Sequence, residues 1–217
     1  MQMTTEETFH RIMEIGIIPA VRVSSMEDAL FASEALRSGG IPVVEITMTI
    51  PRATDVISEL LRNGSDLIVG AGTVLDLDTA RRSVDAGAMF LTSTGLDLEI
   101  VEFANHASVP MIPGALTPSE IMAATKAGAE IIKLFPCSVM GGPAYIRALK
   151  GPFPHAKLIA SGGVSQQTAA DFIKAGASAI GVGQDLLPRE AIQLRNIKWI
   201  HELTRRFLAM VHEGRTH

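Results

Sequence analysis

Eight short apolar runs, each followed by a helix-length amphipathic stretch, recur along this chain and constrain its fold more than any other feature. Three junctions leading from a helical stretch back into an apolar run carry the same tripeptide: Ala86-Gly87-Ala88, Ala127-Gly128-Ala129 and Ala175-Gly176-Ala177. Ser38-Gly39-Gly40 is a looser copy. A glycine there suits the left-handed residue that ends a helix, and the flanking alanines let helix and strand pack closely. Length and β-branched content predict strands over 17–23, 43–47, 67–71, 89–92, 109–112, 130–136, 157–160 and 179–182. Helical spacing of apolar residues predicts helices over 25–38, 52–62, 78–85, 97–106, 118–126, 144–149, 166–175 and 197–212. An additional helix over 6–15, opened by Thr5, precedes the first strand. At about 27 residues per strand–helix unit, the 217 residues read as one α/β domain over 1–217, a (β/α)8 TIM barrel with an N-terminal extra helix. An open doubly wound sheet is the competing architecture, but its G-x-G-x-x-G signature after the first strand is missing.

A barrel predicts where chemistry sits, because active sites of this architecture lie at the C-terminal ends of the strands. Taken in order, those ends are Arg22, then Glu45 to Thr49, Gly72-Thr73, Ser93-Thr94-Gly95 and Pro113-Gly114. The last three are Lys133 to Pro136, Ser161-Gly162-Gly163 and Gly183-Gln184-Asp185. Two of these strands place a charge inside hydrocarbon: Lys133 in EIIKLFP and Glu45 in VVEIT. Period-two alternation puts Ile131, Lys133 and Phe135 on one face and Val43, Glu45 and Thr47 on one face of theirs. Desolvation favours the neutral form of a lysine, and a neutral amine can form a Schiff base with a ketone. A structural ion pair is the other reading of a buried acid and base. The glycines and small hydroxyls at the remaining strand ends leave room for a ligand, which favours a general acid/base beside an amine nucleophile.

Composition narrows the partners. The net charge is −4 with no basic run, which argues against nucleic acid, and 47% hydrophobic residues suffice for a large core. The N-terminal segment is polar and acidic, and no apolar stretch reaches the roughly 18–20 residues that span a bilayer. With one cysteine, Cys137, a cytoplasmic protein with no membrane partner is expected. The six histidines (His10, His106, His155, His201, His212, His217) show no ligand spacing such as H-E-x-x-H, so no metal is expected. They read as surface or helix-terminal residues, and Cys137 as a small buried one. Asp185 stands at the active face, or caps a helix before Leu186.

The combination of VVEIT, VGAGTVLD, MIPGALTPSE, IKLFPCSVMGG, KGPFP and SGGV, spread from about Ile12 to Leu187, resembles the 2-keto-3-deoxy-6-phosphogluconate (KDPG)/4-hydroxy-2-oxoglutarate (KHG) aldolase family. The resemblance implies a class I, cofactor-free and metal-free aldolase, a homotrimer, cleaving a 2-keto-3-deoxy sugar acid to pyruvate and an aldehyde. It implies that Lys133 is the Schiff-base lysine and Glu45 the proton-transferring residue. Thr73 then supplies a pyruvate-pocket hydroxyl, Phe135 a pocket wall, and Gly162 and Gly163 backbone N–H groups for a phosphate.

Three departures bear on the substrate. Phosphogluconate-type members carry an arginine where this chain has Thr49. Galactonate-type members lack it and carry one at the end of the first strand, as Arg22 stands here, so Arg22 is expected to bind an anion. The family's S-P-G reads Ser93-Thr94-Gly95, and the usual serine after Gly183 is Gln184, which leaves the acceptor half of the substrate open. The same imine could also decarboxylate oxaloacetate. A phosphosugar isomerase or epimerase without an imine, and a non-catalytic sugar-acid-binding barrel, complete the alternatives.

Overall fold

The computed structural model describes residues 3–62 and 66–216, so His217 lies outside the described residues. Its strands are β1 (Ile17–Val21), β2 (Val43–Thr47), β3 (Ile68–Gly72), β4 (Leu91–Thr92), β5 (Met111–Ile112), β6 (Gly114–Ala115), β7 (Ile131–Leu134), β8 (Lys157–Ser161) and β9 (Ala179–Val182). The helices are α1 (Thr5–Ile15), α2 (Met26–Ser38), α3 (Ala53–Arg62), α4 (Leu77–Asp85), α5 (Leu98–His106), α6 (Pro118–Lys126), α7 (Pro143–Lys150), α8 (Ala169–Lys174), α9 (Arg189–Gln193) and α10 (Ile197–Arg215).

All strand pairs are parallel, and the order runs β5-β4-β3-β2-β1-β9-β8-β7-β6. The two ends of that order are consecutive pieces of chain separated only by Pro113, so the sheet closes on itself as a barrel. The fifth predicted strand, 109–112, is thus two segments on either side of a proline. Proline has no N–H, so pairing with β4 stops there and pairing with β7 begins; the Pro113 carbonyl accepts from Lys133 N at 2.9 Å. A second difference is α9, where no helix was expected. It starts at Arg189 behind Pro188, so Asp185 caps no helix.

Local chemistry explains most boundaries. Thr4, not Thr5, caps α1, in a reciprocal box with Glu7; Asp76, Asp97 and Thr117 cap α4, α5 and α6. Gly87, Gly128 and Gly176 of the three repeated tripeptides all sit at positive φ (98°, 94° and 105°), as a left-handed helix stop requires.

Buried side chains form two clusters, and strand alternation assigns them to the two faces of the sheet. Val44, Ile46, Val69, Ala71, Ile132 and Leu134 pack with the helices outside. Ile18, Val43, Ile68, Ile112, Ile131, Ile159 and Ala179 fill the interior, with Phe90 and with Phe9 and Ile12 of α1. Thus α1 plugs the N-terminal end of the barrel. One step further along each strand, the same parity turns Ala20, Glu45, Gly70, Thr92, Lys133, Ser161 and Gly181 inward. Only Glu45 and Lys133 among these are charged; Gly70 makes room for the Phe90 ring and Gly181 for the Ser161 side chain. Among the described residues no helix is long and apolar enough to cross a membrane.

Candidate active site

β2 and β7 bring the two interior charges together. Lys133 Nζ lies 3.1 Å from Glu45 Oε2 and 3.5 Å from Oε1, and the side chains are 9% and 3% exposed. Among the described residues no other ion pair has both side chains buried. Desolvation roughly cancels the attraction in such a pair, so stability alone gives little reason to keep it. Thr92 joins the two groups: its hydroxyl donates to Glu45 Oε2 at 2.8 Å and accepts from Lys133 Nζ at 3.3 Å.

Gly72 makes the arrangement possible. A Cβ at that position would lie 2.2 Å from Glu45 Oε1, so only glycine lets the carboxylate lie along β3. Gly162 and Gly163 follow β8 at φ 85° and 83°. There a side chain would meet Pro136 Cα at 2.9 Å (position 162) or Ser138 Oγ at 1.9 Å (position 163). Backbone bonds from Cys137 N to Ser161 O (2.8 Å) and from Ser138 N to Gly162 O (3.0 Å) tie the ends of β7 and β8 together.

A cavity of about 470 Å³ opens above the pair at the C-terminal strand ends. Arg22, Glu45, Thr94, Lys133, Phe135, Gly162, Gly163, Gly183 and Gln184 all line it, together with Ser161 and Asp185. A larger cavity of about 720 Å³ lies at the opposite end beside α1, and among the described residues Glu6 is its only charged lining residue. Convergent polar groups, not size, distinguish a site. Two expected site residues stand outside the lining. The Thr49 hydroxyl bonds that of Thr47 at 3.1 Å, and Thr47 in turn donates to Val21 O at 2.9 Å. Thr73 sits at φ 58°, unusual for a β-branched residue, and its buried hydroxyl has no hydrogen-bond partner among the described residues.

Thr92 was not singled out from the sequence, and Ser161 was read only as a strand-end residue with no role of its own. Thr92 could have been found by alternation, since it shares a strand face with the interior residue Phe90. Cys137 is fully buried in the outer core, and burial pushes its thiol up to about 11, which suits an inert packing residue. His10, His106, His155 and His212 are exposed and His201 is half-buried; among the described residues no group of three or more His, Cys, Asp or Glu side chains converges on a metal-sized site.

The model of one protein family, KDPG and KHG aldolase, matches residues 9–203. The 2-dehydro-3-deoxy-phosphogluconate aldolase of Pseudomonas aeruginosa is 34% identical over 94% of this chain and 93% of its own length. Among solved structures, the KDPG aldolase of Legionella pneumophila, with pyruvate captured as a covalent carbinolamine, superposes with a TM-score of 0.82 at 33% identity. That match covers 87% of this chain and 92% of the other. The native KDPGal structure superposes with a TM-score of 0.85 at 27% identity, covering 93% and 96% of the two chains.

Proposed function

The chain belongs to the KDPG and KHG aldolase family, and from that premise we propose that Lys133 is the imine-forming amine and Glu45 its proton-transfer partner. The protein is a Schiff-base aldolase, a carbon–carbon lyase that cleaves a 2-keto-3-deoxy sugar acid, phosphorylated or not, or 4-hydroxy-2-oxoglutarate to pyruvate and an aldehyde. The observation that carries the residue assignment is the buried Lys133–Glu45 contact of 3.1 Å at the floor of a cavity whose wall also holds Arg22, Asp185, Phe135, small hydroxyls and glycines.

The chemistry follows from that geometry. Glu45 takes a proton from the Lys133 amine, whose lone pair adds to the substrate's C2 ketone. Loss of water, with Glu45 as acid, gives a protonated imine. The imine draws the electrons of the C3–C4 bond as Glu45, directly or through a water, removes the C4 hydroxyl proton and the aldehyde departs. The enamine left behind is protonated at C3, and water then releases pyruvate and restores the amine. The imine nitrogen is the electron sink.

Binding is assigned by what each group lacks. The Thr73 hydroxyl, without a partner among the described residues, is a donor for the keto acid's carboxylate, and leaving such a group buried and unpaired costs roughly 1–3 kcal/mol. Phe135 walls the pyruvate half, with Thr94 beside it. Gly162 and Gly163 N–H groups, with Gly183 and Gln184, hold the far end of the substrate. Thr49 is held by Thr47 and supplies no arginine charge, so Arg22 is the anion anchor. Arg22→Ala is expected to raise KM about tenfold or more while lowering kcat at saturation by less than about threefold. A steady-state titration in which KM is unchanged removes Arg22 from substrate binding.

The protein works in this reading as a single cytoplasmic barrel domain assembled as a homotrimer. Large apolar side chains left in solvent, such as Val139 (75% exposed) and Leu75 (60%), are what a subunit contact would cover. The imine is tested by borohydride reduction in the presence of pyruvate and peptide mass spectrometry. A reduced pyruvyl adduct on Lys133 is expected. A folded sample that gives none returns the binding-barrel and isomerase readings to the front.

A further inference from the structure

Thr92 is fully buried, and its hydroxyl stands between the two charged groups, 2.8 Å from Glu45 Oε2 and 3.3 Å from Lys133 Nζ. We propose that Thr92 is a positioning residue that keeps the Glu45 carboxylate aimed at the substrate after Lys133 has become an imine. The proposal rests on reading Lys133 as the imine-forming amine.

The need for such a residue comes from counting protons. A lysine ammonium has three N–H donors on a rotatable nitrogen, and it reaches both Glu45 and Thr92. The protonated imine has one N–H, fixed in the plane of the C=N bond. Glu45 therefore loses its adaptable ionic partner at the stage when it must face C3 and C4. On the Oε1 side the carboxylate lies against Gly72, where a Cβ would come within 2.2 Å of that oxygen, and a glycine offers no side-chain donor to hold it. Thr92 lies against the other oxygen. Its single hydroxyl hydrogen is committed to Oε2, since an ionised carboxylate can only accept. Its branched side chain has few rotamers, and burial in β4 fixes the one it has. Thr92 thus offers a donor that imine formation does not consume.

Pyruvate alone tests this, without the identity of the aldehyde. Borohydride trapping reads imine formation. Loss of the pyruvate methyl signal in D2O, followed by proton NMR, reads transfer at C3: the imine gives a C3 proton to Glu45, and the resulting enamine takes a deuteron back. Thr92→Val keeps the shape and removes the hydroxyl. It is expected to form the adduct to the wild-type extent but to exchange about 10- to 100-fold more slowly, with KM for pyruvate within about twofold. Thr92→Ser is expected to recover exchange to within about threefold. If Thr92→Val does not fold, Thr92→Ala carries the same expectation. Exchange at the wild-type rate in the hydroxyl-free variant, or a serine variant as slow as the valine one, overturns the proposal. A wild-type protein that neither traps nor exchanges pyruvate overturns the reading of Lys133 itself, and this proposal with it.

Discussion

Lys133→Met is expected to lower turnover by about 10⁵-fold or more, because in the proposed mechanism the imine on Lys133 drains electrons from the breaking bond. The same substitution carries a stability signature. Lys133 and Glu45 are each less than a tenth exposed, and removing the lysine strands a buried carboxylate beside Thr92. Breaking one side of a buried pair costs about 3–5 kcal/mol, whereas replacing both partners by apolar groups is often neutral or stabilising. Urea unfolding should therefore show Lys133→Met well below wild type, and the double variant Glu45→Leu, Lys133→Met restored towards it. Assay of the purified, folded single variant settles the catalytic half. Residual cleavage above about one part in a hundred, with a pyruvyl adduct on another lysine, would place the imine elsewhere.

Glu45→Gln separates forming the imine from using it. The amide keeps the shape of the side chain, and a Cβ-free Gly72 still leaves it room. It cannot take the C4 hydroxyl proton or return one at C3. A general acid/base contributes about 10²–10⁴-fold, so kcat for cleavage is expected to fall by that factor while borohydride still traps pyruvate on Lys133. Single-turnover measurement distinguishes the steps: adduct formation slowed modestly, bond cleavage slowed strongly. A kcat within about threefold of wild type would mean that solvent or another side chain moves the protons.

Much of this was legible before any coordinates. The repeated helix stops and apolar runs gave the barrel, because each unit needs a buried strand and an amphipathic helix whose lengths are visible in one dimension. Alternation put Ile131, Lys133 and Phe135 on one face, and the interior position of Ile131 bears that out. Pro113 was read as an end when it is a switch of pairing partner, since a ladder's two sides cannot be seen from one strand.

Arg22 and Thr49 were both read as substrate contacts near strand ends, with Arg22 expected to bind the anion in place of the arginine missing at Thr49. Only the turn after β2, where the Thr49 hydroxyl closes on Thr47, takes it off the cavity wall while Arg22 remains there. The sequence by itself determined the strand and helix periods, the charges placed within apolar strands and the motifs at the strand ends, because these are properties of neighbours along the chain. The meeting of Glu45, Thr92 and Lys133, and the missing Cβ of Gly72 that admits the carboxylate, were decided only by the tertiary structure. Residues 41 to 88 positions apart come within hydrogen-bonding distance there through the tilt and closure of the barrel, which no local pattern encodes.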